Sequence, residues 1–295
     1  MPDPMLWLLL ALTSAALFAL GNIADKFAVS KRLGPESYYA IIGGSYLLLV
    51  FASATFFSLG FSPAAAVAMA AGMMMGSVTL LYLFALSREE VSRVVAFYFT
   101  EGLFVALFAA LFLGEILTPL KYAGMGLIVA GAVLISLKRL EVSFRAGLLP
   151  LLVVAAVYAG ASVLLKYATG GAGYLQVLVW MWAGYGLSFL IIAGPRLLPI
   201  AREIMRAGRK TVLVSAFANL VIYPLANLVY IYALSLQKAS IVAPVTATQA
   251  LFVVIFAALV SRFVPRLFKE EITAGTLAVK AACALLIIIG VYLVS

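Results

Sequence analysis

Long apolar runs, separated by short polar punctuation, divide the chain into ten stretches, each near the roughly 20 residues a helix needs to cross a bilayer. They run from Met5 to Phe27, Tyr38 to Leu59, Ala64 to Leu86, Val91 to Leu113, Leu117 to Leu137, Ala146 to Tyr167, Tyr174 to Ala193, Val212 to Leu234, Ala239 to Phe263 and Ala274 to Val294. The runs are continuous instead of alternating, which predicts helices and excludes a β-barrel. In hydrocarbon, backbone donors and acceptors must be satisfied within each segment, which again requires helices. The expected fold class is an all-α polytopic membrane protein.

The pattern occurs twice. The stretch from Tyr82 to Leu111 returns from Tyr230 to Leu259, with Ala85-Leu86-Ser87 on Ala233-Leu234-Ser235, Ser92 on Ser240, and Thr100-Glu101 on Thr248-Gln249. The first helix returns as well: Phe18, Asn22 and Lys26 share a face at steps of four, as do Tyr158, Ser162 and Lys166. Gly44 pairs with Gly184, and Gly131 with Gly290. An internal duplication follows, with a first unit over residues 1–140 and a second over 141–295. Each unit holds five spans. Five is odd, so the second unit enters the membrane from the opposite side, an inverted repeat of the kind that builds secondary transporters with a midplane site.

Composition sharpens this picture. A chain that is 66% hydrophobic and 11% charged, with a mean hydropathy of +1.18, has too little polar surface to be a soluble domain. Its net charge of +9 lies in short loops, so topology explains it and nucleic acid is not implied as a partner. Basic residues gather on the side reached after the first span, at Lys31-Arg32, Lys138-Arg139 and Arg202 to Lys210, which favours both termini outside and cytoplasmic connections at Pro195 to Lys210 and Arg262 to Glu271. The first segment lacks a basic leader region and has a counterpart in the second unit, so it is expected to be retained. The single cysteine, Cys283, excludes an internal disulfide framework. There is no histidine, which removes His-based triads and zinc motifs, and no nucleotide-binding glycine loop. No cofactor and no enzymatic activity are expected.

Among polar residues in the spans, Glu101 stands out. A carboxylate at helix centre costs roughly 2.5 to 3.5 kcal/mol to insert, so it is expected to face a cavity, where it can take up a proton or a cationic group; the alternative is a structural carboxylate held by a hydroxyl or by Lys26 or Lys166. Thr100, Thr248 and Gln249 lie beside it or at its repeat counterpart, as substrate contacts or interhelical hydrogen bonds. Asn22 and Ser162 are paired by the repeat at mid-span. Asn219, Asn227 and Tyr223 crowd the eighth span around Pro224, which predicts a kink. Tyr98, Tyr158, Trp182 and Tyr230 are candidates to pack a substrate, or are ordinary packing aromatics. Lys26 and Lys166 lie near opposite faces, as gate or charge contacts or as snorkelling side chains, and Asp25 is expected at the same aqueous edge as Lys26. Gly72 and Gly76 form a close-packing motif, and Gly124, Gly126, Ala130 and Gly131 a small-residue face, either inside the chain or between protomers.

The segment ALSREEVSRVVAFYFTEGLFVALFAALFLGEILTPLKYAGMGLIVAGAVLIS, from Ala85 to Ser136, resembles the EamA branch of the drug/metabolite transporter superfamily through Ala85, Leu86 and Ser92, the Leu113-Gly114-Glu115 ending, and the Gly124 to Gly131 motif. The resemblance implies a carrier whose cavity is walled by the first four helices of each half, with the fifth and tenth outside. The chain departs from relatives at Gly102 and Ala250, where many have proline, and at Phe18 and Tyr158, where the small multidrug branch has a glutamate. Relatives usually keep both termini inside, against the charge count. The leading expectation is a secondary carrier in the plasma membrane for a small metabolite, an amino acid by family analogy, working by alternating access, with proton coupling through Glu101 as one option. A passive channel and a small-amine or drug exporter are the alternatives. Expected partners are the lipid bilayer and a small-molecule substrate, and the protein is expected to be a monomer or homodimer.

Overall fold

The computed structural model describes residues 5–31, 33–56, 59–88, 94, 99–136, 149–261 and 274–295. They are helical almost throughout. The first half holds α1 (Leu6–Lys31), α2 (Pro35–Phe56), α3 (Pro63–Arg88), α4 (Glu101–Leu113) and α5 (Pro119–Ser136). The second holds α6 (Leu149–Thr169), α7 (Tyr174–Ala193), α8 (Leu197–Arg206), α9 (Arg209–Phe217), a π-helical turn (Ala218–Ile222), α10 (Tyr223–Leu236), α11 (Ala239–Thr246), α12 (Gln249–Ser261) and α13 (Ala274–Val294). Seven helical segments among the described residues are long and apolar enough to cross a membrane, and the apolar segments Glu101–Leu113, Pro119–Leu134 and Ala281–Val294 are shorter. Large apolar side chains are left on the outside, Phe51 at 72%, Phe112 at 75% and Tyr292 at 79% exposure, as hydrocarbon rather than water requires. The protein is a multi-pass membrane protein.

The helices meet where glycine removes the side chain. α3 packs along α7 and α6, α1 along α10, and α5 along α13. A Cβ on Gly72 of α3 would collide with the carbonyl of Met181 on α7, and one on Gly184 of α7 with the carbonyl of Met69 on α3. In lipid, where apolar side chains gain nothing by leaving the solvent, such backbone contact supplies the attraction between helices. The small-residue face on α5 proves intramolecular: Gly124 lies against Gly290, and Gly131 against Ile287 and the carbonyl of Cys283, whereas Gly126 faces open space and Ala130 is exposed.

Several expected runs are interrupted. The connection expected at Pro195 to Lys210 is largely the amphipathic helix α8, whose Leu198 and Met205 are exposed while Glu203 accepts from the Gly34 N–H (2.6 Å) and the Ser37 hydroxyl (2.7 Å) at the start of α2. Arg196 adds an ion pair to Glu36 at 2.7 Å. Around Pro224 the helix widens into the π turn just before it, the irregularity that a ring lacking an N–H invites. The ninth run breaks at Ala247–Thr248, after Pro244 has withdrawn a backbone donor, and a turn at Phe99–Thr100 precedes α4. These two breaks face each other, since a Cβ on Gly102 would stand 3.2 Å from the Cα of Pro244. The connection Arg262 to Glu271 lies outside the described residues.

Three contacts join elements near helix ends. Gly114 takes φ +66° to end α4, and the buried Glu115 that follows accepts from the N–H groups of Ala239 (3.1 Å) and Ser240 (2.9 Å) and from the Ser240 hydroxyl (2.7 Å). It therefore caps the N-terminus of α11, where a negative charge is favoured. Lys26 and Lys166 each donate to a carbonyl near the end of a helix: Lys26 to Leu86 at 2.9 Å and Lys166 to Leu234 at 2.6 Å.

Candidate functional site

The sequence concentrates its mid-span polar residues on α1, α3, α6 and α10, and these helices, with residues of α2, α4, α7, the π turn, α11 and α12, line a cavity of about 140 Å³. A single water needs about 10–15 Å³ on the same scale, so there is room for a small organic solute. The described residues of α5 and α13 contribute nothing to its lining.

Glu101 opens onto this cavity. Instead of lying at helix centre, it is the first residue of α4, so the carboxylate sits where the helix dipole favours negative charge. Ser162 on α6 donates to its Oε1 at 3.1 Å, and Tyr230 on α10 donates to Ser162 at 3.1 Å, a chain that draws on both halves. Gln249, its repeat counterpart, opens α12 in the same way and also lines the cavity, as do Asn22 and Tyr82, the counterparts of Ser162 and Tyr230. The cavity thus has an acidic flank and an amide flank at corresponding positions.

A second carboxylate lies at one end. Asp25, expected at the aqueous edge, is instead 3% exposed. Its Oδ1 accepts from the Tyr38 hydroxyl and its Oδ2 from the Tyr223 hydroxyl, each at 2.5 Å. The amide nitrogen of Asn219 donates to Tyr38 Oη at 3.2 Å and to the Ser215 carbonyl at 2.9 Å. The signal was in the sequence: Asn22 and Asp25 are three apart and share a helix face. The adjacent Lys26 suggested an outward pair, but its amine turns away to Leu86.

The other candidates divide. Tyr158, Asn219 and Asn227 line the cavity. The Thr79 hydroxyl donates to the Met75 carbonyl at 2.8 Å and so accepts from Tyr158 at 2.9 Å, while Asn227 donates to Tyr46 at 3.2 Å. Trp182 stands behind the wall, stacked on Tyr46 with ring centroids 6.2 Å apart. Thr100 and Thr248 belong to the turns before α4 and α12 and do not line the cavity; Thr246 does. Neither Lys26 nor Lys166 lines it, so both tie helices together instead of contacting its contents. Tyr98 lies outside the described residues. Sequence reasoning missed Tyr46, Thr79 and Tyr185, whose residue types do not separate lining from packing.

Among the described lining residues there is no lysine or arginine to balance the two carboxylates. No group of histidine, cysteine, aspartate or glutamate residues among those described could hold a metal ion.

Residues 5–137 match the model of the EamA-like transporter family. No curated protein matches the chain. One crystal structure of another protein superposes with a TM-score of 0.68 over 98% of this chain and 95% of its own, at 17% identity, a likeness that speaks to the fold alone. The matched segment, a little under half of the chain, contains α1 to α5, including Glu101 and the Leu113-Gly114-Glu115 ending, and over it the chain is similar to the EamA-like transporter family, which is part of the drug/metabolite transporter superfamily.

Proposed function

We propose that this protein is a secondary carrier of the plasma membrane for a small amine-bearing solute, of the amino-acid or amine class, moved by alternating access. The observation that carries this reading is the pairing of two carboxylates, Asp25 and Glu101, with tyrosine hydroxyls and amides in a cavity whose described lining holds no basic residue. In a low-dielectric site an ammonium group offsets the cost of a buried carboxylate better than a neutral ligand does. Glu101, with its Ser162 and Tyr230 support, receives the ammonium group or a proton exchanged for it. Gln249, Asn22 and the aromatic walls receive the remainder of the solute, and Thr100, Thr248 and Trp182 shape the site from behind.

Alternating access is supported by contacts that recur at repeat positions. Lys26 with Leu86 and Lys166 with Leu234 are the same pair under the internal register, and the contact of Gly124 with the Gly290 carbonyl returns as that of Gly131 with the Cys283 carbonyl. Two units of equivalent packing and opposite sense can exchange shapes to open the cavity to either side. A channel would need a ring of like polar groups, and the Glu101 and Gln249 flanks differ.

The test is counterflow in proteoliposomes with amino acids, amines and sugar derivatives, with and without a pH gradient, in wild type and Glu101→Gln. Saturable exchange of an amine-bearing solute that is lost in Glu101→Gln is the expected result. Preferred exchange of neutral sugars, unaffected by the substitution, would refute it, and flux without trans-stimulation would favour a pore.

A further inference from the structure

We propose that Asp25 forms a second, proton-binding site of this carrier, separate from Glu101, and that protonation there releases the end of the cavity between α1, α2 and α10. The inference deepens the carrier reading by adding regulation of its cavity.

The geometry is that of an ionised carboxylate. An ionised Asp only accepts, and here both oxygens face hydroxyl donors, Tyr38 on one and Tyr223 on the other. The direction at Tyr38 is fixed from behind, because Asn219 donates to its oxygen and leaves the phenolic proton for Asp25. The three residues come from α1, α2 and α10, so the carboxylate fastens three helices at once. The cluster lies toward the ends of α1 and α3, where the neighbouring Lys26 reaches Leu86. The Tyr223 ring lies over Gly21, where a Cβ would come within 2.7 Å of its Cε1, so the tyrosine closes down onto bare α1 backbone.

A proton arriving at Asp25 has somewhere to act. Adding one proton takes the side chain from charge −1 to neutral and turns one acceptor oxygen into a donor, which then opposes a hydroxyl proton. Among the described residues, the other titratable groups facing Asp25 are Tyr38 on α2, Tyr223 on α10, and at longer range Tyr46 on α2 and Tyr82 on α3, with no basic group among these four. Asn219 lines the cavity fully buried, yet its Oδ1 has no hydrogen-bond partner among the described residues. That oxygen is an acceptor held ready for a donor. The π turn to which Asn219 belongs is a backbone irregularity of a kind often found at functional sites.

The internal register adds an independent point. In the opposite unit the counterparts of Asp25, Tyr38, Tyr223 and Asn219 are Leu165, Leu178, Met75 and Ala71, all apolar. At these four positions one end of the cavity carries a carboxylate with its donors and the other only apolar side chains, so in this proposal protons act on one end and not the other.

The test needs no substrate, so its outcome is independent of the transport assay. Spin labels are placed at the exposed Ser87 and Met205, through Ser87→Cys and Met205→Cys in a Cys283→Ser background. Distance distributions in lipid are then measured by pulsed electron resonance from pH 8 to pH 5. Wild type is expected to gain a longer-distance population as pH falls, and Asp25→Asn to show that population at every pH. Tyr223→Phe, which keeps the carboxylate but removes one donor, is expected to open at higher pH than wild type, and it serves if Asp25→Asn does not fold. A distribution independent of pH in wild type, a pH response that persists in Asp25→Asn, or a Tyr223→Phe response identical to wild type would each overturn the proposal.

Discussion

Ser162 on α6 donates its hydroxyl to Glu101 on α4 at 3.1 Å, so the carboxylate of the first half is oriented by a side chain of the second. Tyr230 holds that serine from α10. Hydrogen bonds to charged groups contribute about 1.5–3 kcal/mol, and 1.4 kcal/mol is about tenfold in affinity. Ser162→Ala is expected to weaken the apparent affinity for an amine-bearing solute at least about tenfold and to lower thermal stability, since the buried Tyr230 hydroxyl loses its acceptor. Proteoliposome uptake across solute concentrations, together with a melting curve, checks this; an unchanged half-saturation concentration would remove Ser162 from the site.

Gly72 and Gly126 offer a matched pair. A methyl at Gly72 has to displace the backbone of α7, whereas one at Gly126 meets nothing within 4 Å. Gly72→Ala is expected to lower stability by more than about 2 kcal/mol, the scale of overpacking. Gly126→Ala is expected to be neutral or to gain up to about 1 kcal/mol from helix propensity. Thermal unfolding in detergent measures both.

The two lysine contacts make a prediction about equivalence. Lys26→Met and Lys166→Met each remove a charge-assisted bond to a helix-end carbonyl, so each is expected to cost about 1.5–3 kcal/mol and by similar amounts. Comparable drops in melting temperature are the expected reading. Loss of stability confined to one of them would count against equivalent roles in the two halves.

Glu115 has three donors on its carboxylate, all from the start of α11. Glu115→Ala leaves those buried donors without an acceptor, at about 1–3 kcal/mol for such a group, and Glu115→Gln recovers part of the loss. Hydrogen exchange at Ala239 and Ser240 is expected to accelerate in Glu115→Ala, and full protection there would show that another group caps the helix.

Sidedness is accessible through α8. The positive-inside rule leads to the expectation that this helix faces the cytoplasm, so trypsin added outside sealed, oriented vesicles is expected to leave Arg206 uncut and to cleave once the membrane is permeabilised. Cleavage from the outer face would reverse the assignment.

The spans were legible because twenty apolar residues in a row have few other uses, and Glu101 because an acid inside such a run is costly. The breaks before α4 and α12 were not, since the apolar run continues through Phe99 and Ala247, and Pro244 alone marks one of them. Asp25 was misplaced for a physical reason: adjacent charges suggest a pair at the water's edge, but neighbours on a helix point about 100° apart. One could turn into the cavity while the other reached Leu86. Tyr46 and Tyr185 line the cavity, yet no rule of composition separates a tyrosine facing a void from one facing a neighbour.

The wide turn at Ala218–Ile222 has a consequence for motion. Thr211, Ser215 and Asn219 are spaced by four, a step that drifts round an ordinary helix by about 40° each time. One slack turn takes up that drift and delivers Tyr223, Asn227 and Tyr230 to the same side. The stretch after it carries both Tyr223, which holds Asp25, and Tyr230, which reaches Glu101 through Ser162. Tightening or loosening that one coil would swing both hydroxyls together, so the two acids are geared to a common shaft.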